Sequence, residues 1–164
     1  MKRQSRSSAP FITLLLQLID QAYNKKSWHG TNLRGSIRGL TARQATWRPA
    51  SSRHNIAEIV LHCAYWKYIV RRRILGEKKG SFPVKGSNWF HCPAKLTEKE
   101  WRQDVELLES CHTALRKTVA QLSLADLSVV PAGSKFDNAF VLTGIASHDL
   151  YHAGQIQLLK RLSK

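Results

Sequence analysis

The chain has 164 residues, a hydrophobic fraction of 43% and a formal net charge of +15. That length suits one domain with one sizeable core. No apolar run approaches the ~20 residues of a membrane-spanning helix. Three scattered cysteines, Cys63, Cys92 and Cys111, exclude a disulfide framework and point to a reducing compartment, the cytoplasm.

Residues 1–7 read as a basic tail and residues 8–164 as a single domain. Phe11 to Ile19 is nearly all apolar and follows a basic run, which is the outline of a signal peptide. Asp20 follows directly, however, no Ala-x-Ala site is present, and Phe11, Leu14, Leu15, Leu18, Ala22 and Tyr23 keep helical spacing. The segment is therefore expected to be a domain helix from about Ser8, its N-cap, to Lys26, with Pro10 in the first turn. Ser27-Trp28-His29-Gly30 breaks it, and Trp28 is expected to pack the connection. Thr31 to Gly39 suggests a shorter helix and Thr41 to Gln44 a single turn.

The second long helix is expected from about Asn55 to Leu75, stopped by Gly76. Ile56, Ile59, Cys63, Trp66, Val70 and Ile74 form its main stripe, with His62 at the edge of the buried face. A long loop follows, Glu77 to Leu96, and loops of this length often carry function. Its Cys92 is a candidate reactive thiol, although no helix N-terminus or cationic partner can be assigned to it. Cys63 reads as a small buried hydrophobe. Thr97 to Glu100 is a capping box that opens the third long helix. Trp101, Val105, Leu108, His112, Leu115, Val119 and Leu122 then step by four and three, a packing seam in which His112 reads as a core histidine ahead of a pocket acid or base. Leu124 to Asp137 is a connection, and the fourth helix spans about Asn138 to Leu162. The pattern predicts an all-α four-helix bundle with a long loop between its second and third long helices.

Chemistry concentrates in the fourth helix. His148 and His152 are four residues apart and so share a helix face, with Cβ atoms about 5–6 Å apart. They fall in the stripe Val141, Ile145, His148, His152, Leu159, so both rings are expected to face the core, where unpartnered imidazoles cost free energy. Two imidazoles at this spacing can hold one divalent ion. A third ligand must come from another helix, and His62 is the best placed. Three histidines leave a coordination position open, the catalytic arrangement of zinc and its neighbours. The intervening Asp149-Leu150-Tyr151 lacks the glutamate of the His-Glu-x-x-His proteases. Asp149 is expected on a different face from His148, either orienting a ligand from behind or solvated. Gln155, one turn after His152, is a candidate for the same supporting layer or for packing. His29 lies at a helix break within reach of the bundle mouth, and His54 and His91 read as loop residues.

Trp28-His29-Gly30, Trp47-Arg48-Pro49, the run His54 to His62, Asn88-Trp89 and the run His148 to Ile156 together resemble the DinB-like superfamily. It includes YfiT-type metal-dependent hydrolases and bacillithiol- and mycothiol-dependent enzymes. The resemblance implies a four-helix bundle with a metal, zinc or nickel most often, held by His62, His148 and His152. It also implies a homodimer in many members. Thiol S-transfer to a small molecule, with a cofactor such as bacillithiol, or hydrolysis are the activities it suggests, carried by a metal-bound thiolate or water. Asn88 departs from the acidic residue expected before Trp89. The competing readings are a basic nucleic-acid-binding module with a structural or vestigial metal, supported by the net charge, and a metal-free interaction protein.

Overall fold

A computed structural model describes residues 9–163; the tail, Ser8 and Lys164 lie outside the described residues. Seven helices occur among them and no strand: α1 (Ala9–Tyr23), α2 (Leu33–Ser36), α3 (Ala42–Thr46), α4 (Ile56–Ile74), α5 (Glu98–Val119), α6 (Leu124–Leu127) and α7 (Asn138–Leu162). Four of them are long. Helix α4 packs on both α5 and α7, and α1 packs on α7 and α5.

The ends of the helices follow from local chemistry. The N–H groups of Asn24 and Lys25 both reach the Asp20 carbonyl, at 2.9 and 2.8 Å, so α1 closes at Tyr23 and not at the expected Lys26. Asn55 caps α4 in a full capping box with Glu58, and Thr97 caps α5 in one with Glu100. The expected helix over Thr31 to Gly39 shrinks to one turn. Gly35 lies inside it and Gly39 takes a φ of +74° just beyond. The connection after α5 is not all loop: it holds one helical turn, α6, which Ser123 caps in a box with Asp126. Trp28 does not pack its connection: the side chain is fully exposed, at 101%.

The buried face of α7 also differs from the expected stripe. Leu142, Ile145, Ala146, Asp149, His152, Ala153, Ile156 and Leu159 are buried, whereas Val141 and His148 are half-buried. These positions step by three and four around Asp149, so the true stripe is turned toward the charged residue. Asp149 is neither solvated nor on another face. Lys67 of α4 meets it with Nζ 2.5 Å from Oδ2, and both side chains are about 1% exposed. Along α4, Lys67 lies between Cys63 of one apolar cluster and Val70 of the other; along α7, Asp149 lies between Ile156 and Ala146 of the same two clusters. The ion pair therefore occupies the seam where the two halves of the core meet.

Candidate metal centre

The three histidines named from sequence come together. His62 of α4 and His148 and His152 of α7 form a group whose ligand atoms all lie within 4.8 Å of one another, with His62 and His152 buried and His148 half-buried. His148 Nε2 lies 3.0 Å from His62 Nε2 and 3.1 Å from His152 Nε2. Two of the rings are fixed in their tautomer from behind. His62 Nδ1 donates to the Asn88 carbonyl at 2.8 Å, and His152 Nδ1 donates to Gln155 Oε1 at 2.7 Å. A carbonyl or amide oxygen only accepts, so the protons of both rings sit on Nδ1 and their Nε2 lone pairs face inward.

Whether a metal suits this arrangement can be tested on the donors. With both Nε2 lone pairs aimed at His148 Nε2, one proton there could satisfy only one of them. His148 Nδ1 is buried and has no hydrogen-bond partner among the described residues. No tautomer of the three rings alone satisfies every nitrogen, whereas a cation among the Nε2 atoms accepts all three lone pairs. The spacing agrees: imidazoles sharing an ion at about 2.0–2.1 Å lie about 2.9–3.4 Å apart for octahedral to tetrahedral angles. The rings are also kept neutral. Burial pushes His148 down to about 3, helped by the His152 and His62 rings and by Lys67. Burial likewise takes His152 down to about 4 against the bond to Gln155, and it lowers His62 against the bond to Asn88. Neutral imidazole is the ligating form.

The long loop between α4 and α5 positions His62. Trp89 stacks on the His62 ring at 3.9 Å with an interplanar angle of 8°, and His54 stacks on Trp89 at 3.7 Å and 7°. Asn88 adopts φ 60°, the left-handed conformation that Asn tolerates better than most residues. In that pose its carbonyl takes the His62 proton while its side-chain oxygen accepts from Trp66 Nε1 at 2.9 Å. Its role runs through the backbone, which is why the missing acidic side chain before Trp89 does not matter for holding His62.

Glu58 anchors that loop. Its carboxylate accepts from Arg48 through both oxygens, lies 3.0 Å from His54 Nδ1, and accepts the Cys92 N–H at 3.2 Å. Burial works to raise the Glu58 carboxyl, but Arg48, His54 and the Cys92 amide together hold it down at about 2. Arg48 and His54 thus fix the carboxylate that ties the loop, through Cys92, to the start of α4. Cys92 is corrected by this geometry: it is 4% exposed and burial pushes its thiol up, so it is not a reactive thiolate. Burial also pushes up Cys63 and, to about 11, Cys111.

Other histidines stay outside the group. His112 stacks on Tyr23 at 3.7 Å, is pushed down to about 3 chiefly by burial, and leaves Nδ1 without a partner among the described residues. His29 and His91 are exposed. Asp149 bonds Lys67 and no ring of the triad. Its free Oδ1 lies behind the site, where Cys63, His148 and Asp149 form a second close group. Lys67 escaped the sequence reading because a lysine inside an apolar stripe ordinarily extends to water.

The model of the DinB superfamily matches the sequence over residues 27–156, a span that includes all three histidines. This chain belongs to the DinB superfamily. No curated protein and no solved structure matches it significantly. As a DinB-superfamily member it is all-helical over the described residues, and its His62, His148 and His152 could hold a divalent metal ion. No described helix is long and apolar enough to cross a membrane.

Proposed function

We propose that this DinB-superfamily protein is a metal-dependent enzyme, built as a four-helix bundle of α1, α4, α5 and α7, that transfers a low-molecular-weight thiol to a small electrophile or hydrolyses a small molecule. The observation that carries the reading is the convergence of three neutral imidazole nitrogens, two of them aimed by Nδ1–H bonds, with no carboxylate bonded to any of the rings. A divalent ion held there, zinc or nickel, supplies Lewis acidity that lowers the pKa of a coordinated thiol or water. The chain's own residues do the rest. His62, His148 and His152 ligate; Asn88 and Gln155 hold two of the rings in register; Trp89 screens the His62 ring from one side.

Support for a thiol co-substrate such as bacillithiol comes from what the protein lacks as well: none of its three cysteines is a thiolate at neutral pH. The free state of all three agrees with a cytoplasmic location. A homodimer is supported by exposed Phe11, Leu14 and Leu18 on α1 and by exposed Phe140, Tyr151 and Leu158 on α7, the helix it packs against.

The test is an assay of metal-loaded protein against bacillithiol, mycothiol and glutathione with a panel of alkylating electrophiles, beside ester and amide substrates without thiol. Thiol consumption that disappears in His148→Ala supports transfer, and thiol-independent turnover with the same sensitivity supports hydrolysis. Metal-loaded protein inert in every arm would count against an enzyme.

A further inference from the structure

Away from the triad, the segment from Asn24 to Gly35 and the C-terminal half of α7 enclose a cleft of about 910 Å³, and no metal-site residue lines it. Its charge is lopsided. Lys25, Lys26, Arg34, Arg38 and Lys160 line it against one carboxylate, Glu109. That carboxylate is already engaged, accepting from the Tyr23 hydroxyl at 2.8 Å and lying 3.4 Å from Arg34 Nε. Among the described residues no carboxylate pairs with Lys25, Lys26, Arg38 or Lys160. Like charges gathered on concave walls repel one another, and a polyanion relieves that repulsion.

The walls are preformed. Asn32 Nδ2 donates to the Lys25 carbonyl and Ser27 Oγ to the Gly30 carbonyl, each at 2.8 Å, while Lys160 Nζ reaches across to the Ser36 carbonyl at 2.9 Å. Between two of the lining segments, in the same braced loop, stands Trp28. An indole at 101% exposure has given up all the burial that ordinarily holds this side chain. Trp28 does not itself line the cleft; it stands free at its rim, between the lining residues Ser27 and Gly30. An aromatic ring carried by the same loop as a cluster of cations is the combination that recognises a nucleotide, with the base stacked and the phosphates neutralised.

We propose that this cleft binds nucleotide phosphate, with Lys26 and Arg38 on the phosphates and Trp28 against the base. The source is a free nucleotide or a nucleotide unit of single-stranded nucleic acid, and the site is independent of the metal-centre reading. Calorimetric titrations of the full chain with ATP, inorganic pyrophosphate and a short oligothymidylate test it. Saturable binding is expected, weakened at least tenfold in Lys26→Glu/Arg38→Glu. The same change of net charge placed on α5, Lys99→Glu/Lys117→Glu, is expected to have less than a threefold effect. Trp28→Ala is expected to weaken ATP and oligothymidylate roughly tenfold while leaving pyrophosphate unchanged. Tighter binding of ATP than of oligothymidylate at equal salt identifies the free nucleotide as the source, and the reverse, with a steep salt dependence, identifies single strands. Equal weakening by the two double variants, or no saturable binding of ATP or oligothymidylate, overturns the proposal.

Discussion

Asp149 and Lys67 place two full charges where the packing of α4 and α7 would accept methyl groups, and each is the other's principal partner. Burial pushes the Asp149 carboxyl up against the pull of Lys67. Lys67 also lies 5.1 Å from the centre of the Tyr23 ring. Removing one charge strands the other in a dry seam, whereas removing both leaves only a packing problem. Lys67→Met should therefore lower unfolding free energy by about 3–5 kcal/mol, and Lys67→Met/Asp149→Leu should recover most of it, both read by urea denaturation. A single variant as stable as wild type would show that the pair does not hold the seam. Asn88 offers a second test. Asn88→Gly keeps the left-handed backbone and the carbonyl that takes the His62 proton, so metal content should persist. Asn88→Val puts a β-branched side chain at φ 60° and should cost about 1–3 kcal/mol and metal content together. The histidines were legible in the sequence because spacing by four is independent of environment. The aspartate and lysine were not, because a charged residue in a stripe reads as a break in it until its partner on another helix is known.

The helices themselves were readable wherever a cap or a periodic face marks them. Asn55 with Glu58 and Thr97 with Glu100 fix the starts of α4 and α5, and Gly76 at φ 66° ends α4 where a glycine was expected to. The connection carrying Asn88 and Trp89 was readable only as a loop, since no local pattern announces that one indole will lie between His54 and His62. Glu58 joins the Cys92 end of this loop to α4. Its carboxyl is held at about 2, below the ordinary 4.5, so its contribution is full above the higher value and is lost as pH falls toward the lower one. Glu58→Ala should cost about 1–3 kcal/mol and flatten the loss of stability below about pH 4.5. Amide exchange at Cys92, whose N–H bonds Glu58, should speed up at the same time. Unchanged exchange there would mean that the loop is held by something else.

Across the whole molecule, a chain of net charge +15 folds around a core that keeps four imidazoles, His62, His112, His148 and His152, below their ordinary value. The sign follows directly. The unfolded chain takes up protons on these groups near 6.5 while the folded chain resists until about 3 to 4 at His112, His148 and His152. Stability is thus unaffected above about 6.5 and falls as pH drops below it. Metal-free protein should lose at least about 5 °C in unfolding midpoint between about pH 7.5 and pH 5. Divalent metal should raise the midpoint most at the upper end of that range, where ligands need not shed protons. A midpoint independent of pH would show that the rings are not buried as described.

Elemental analysis of untagged protein, purified without chelator, reaches the central claim most directly. The expected result is about one zinc or nickel per chain in the wild type, a loss of that metal in each of His62→Ala, His148→Ala and His152→Ala, and helical circular dichroism retained in all three. Metal-free wild type after loading with either ion, or wild-type metal content retained in all three variants, would contradict it.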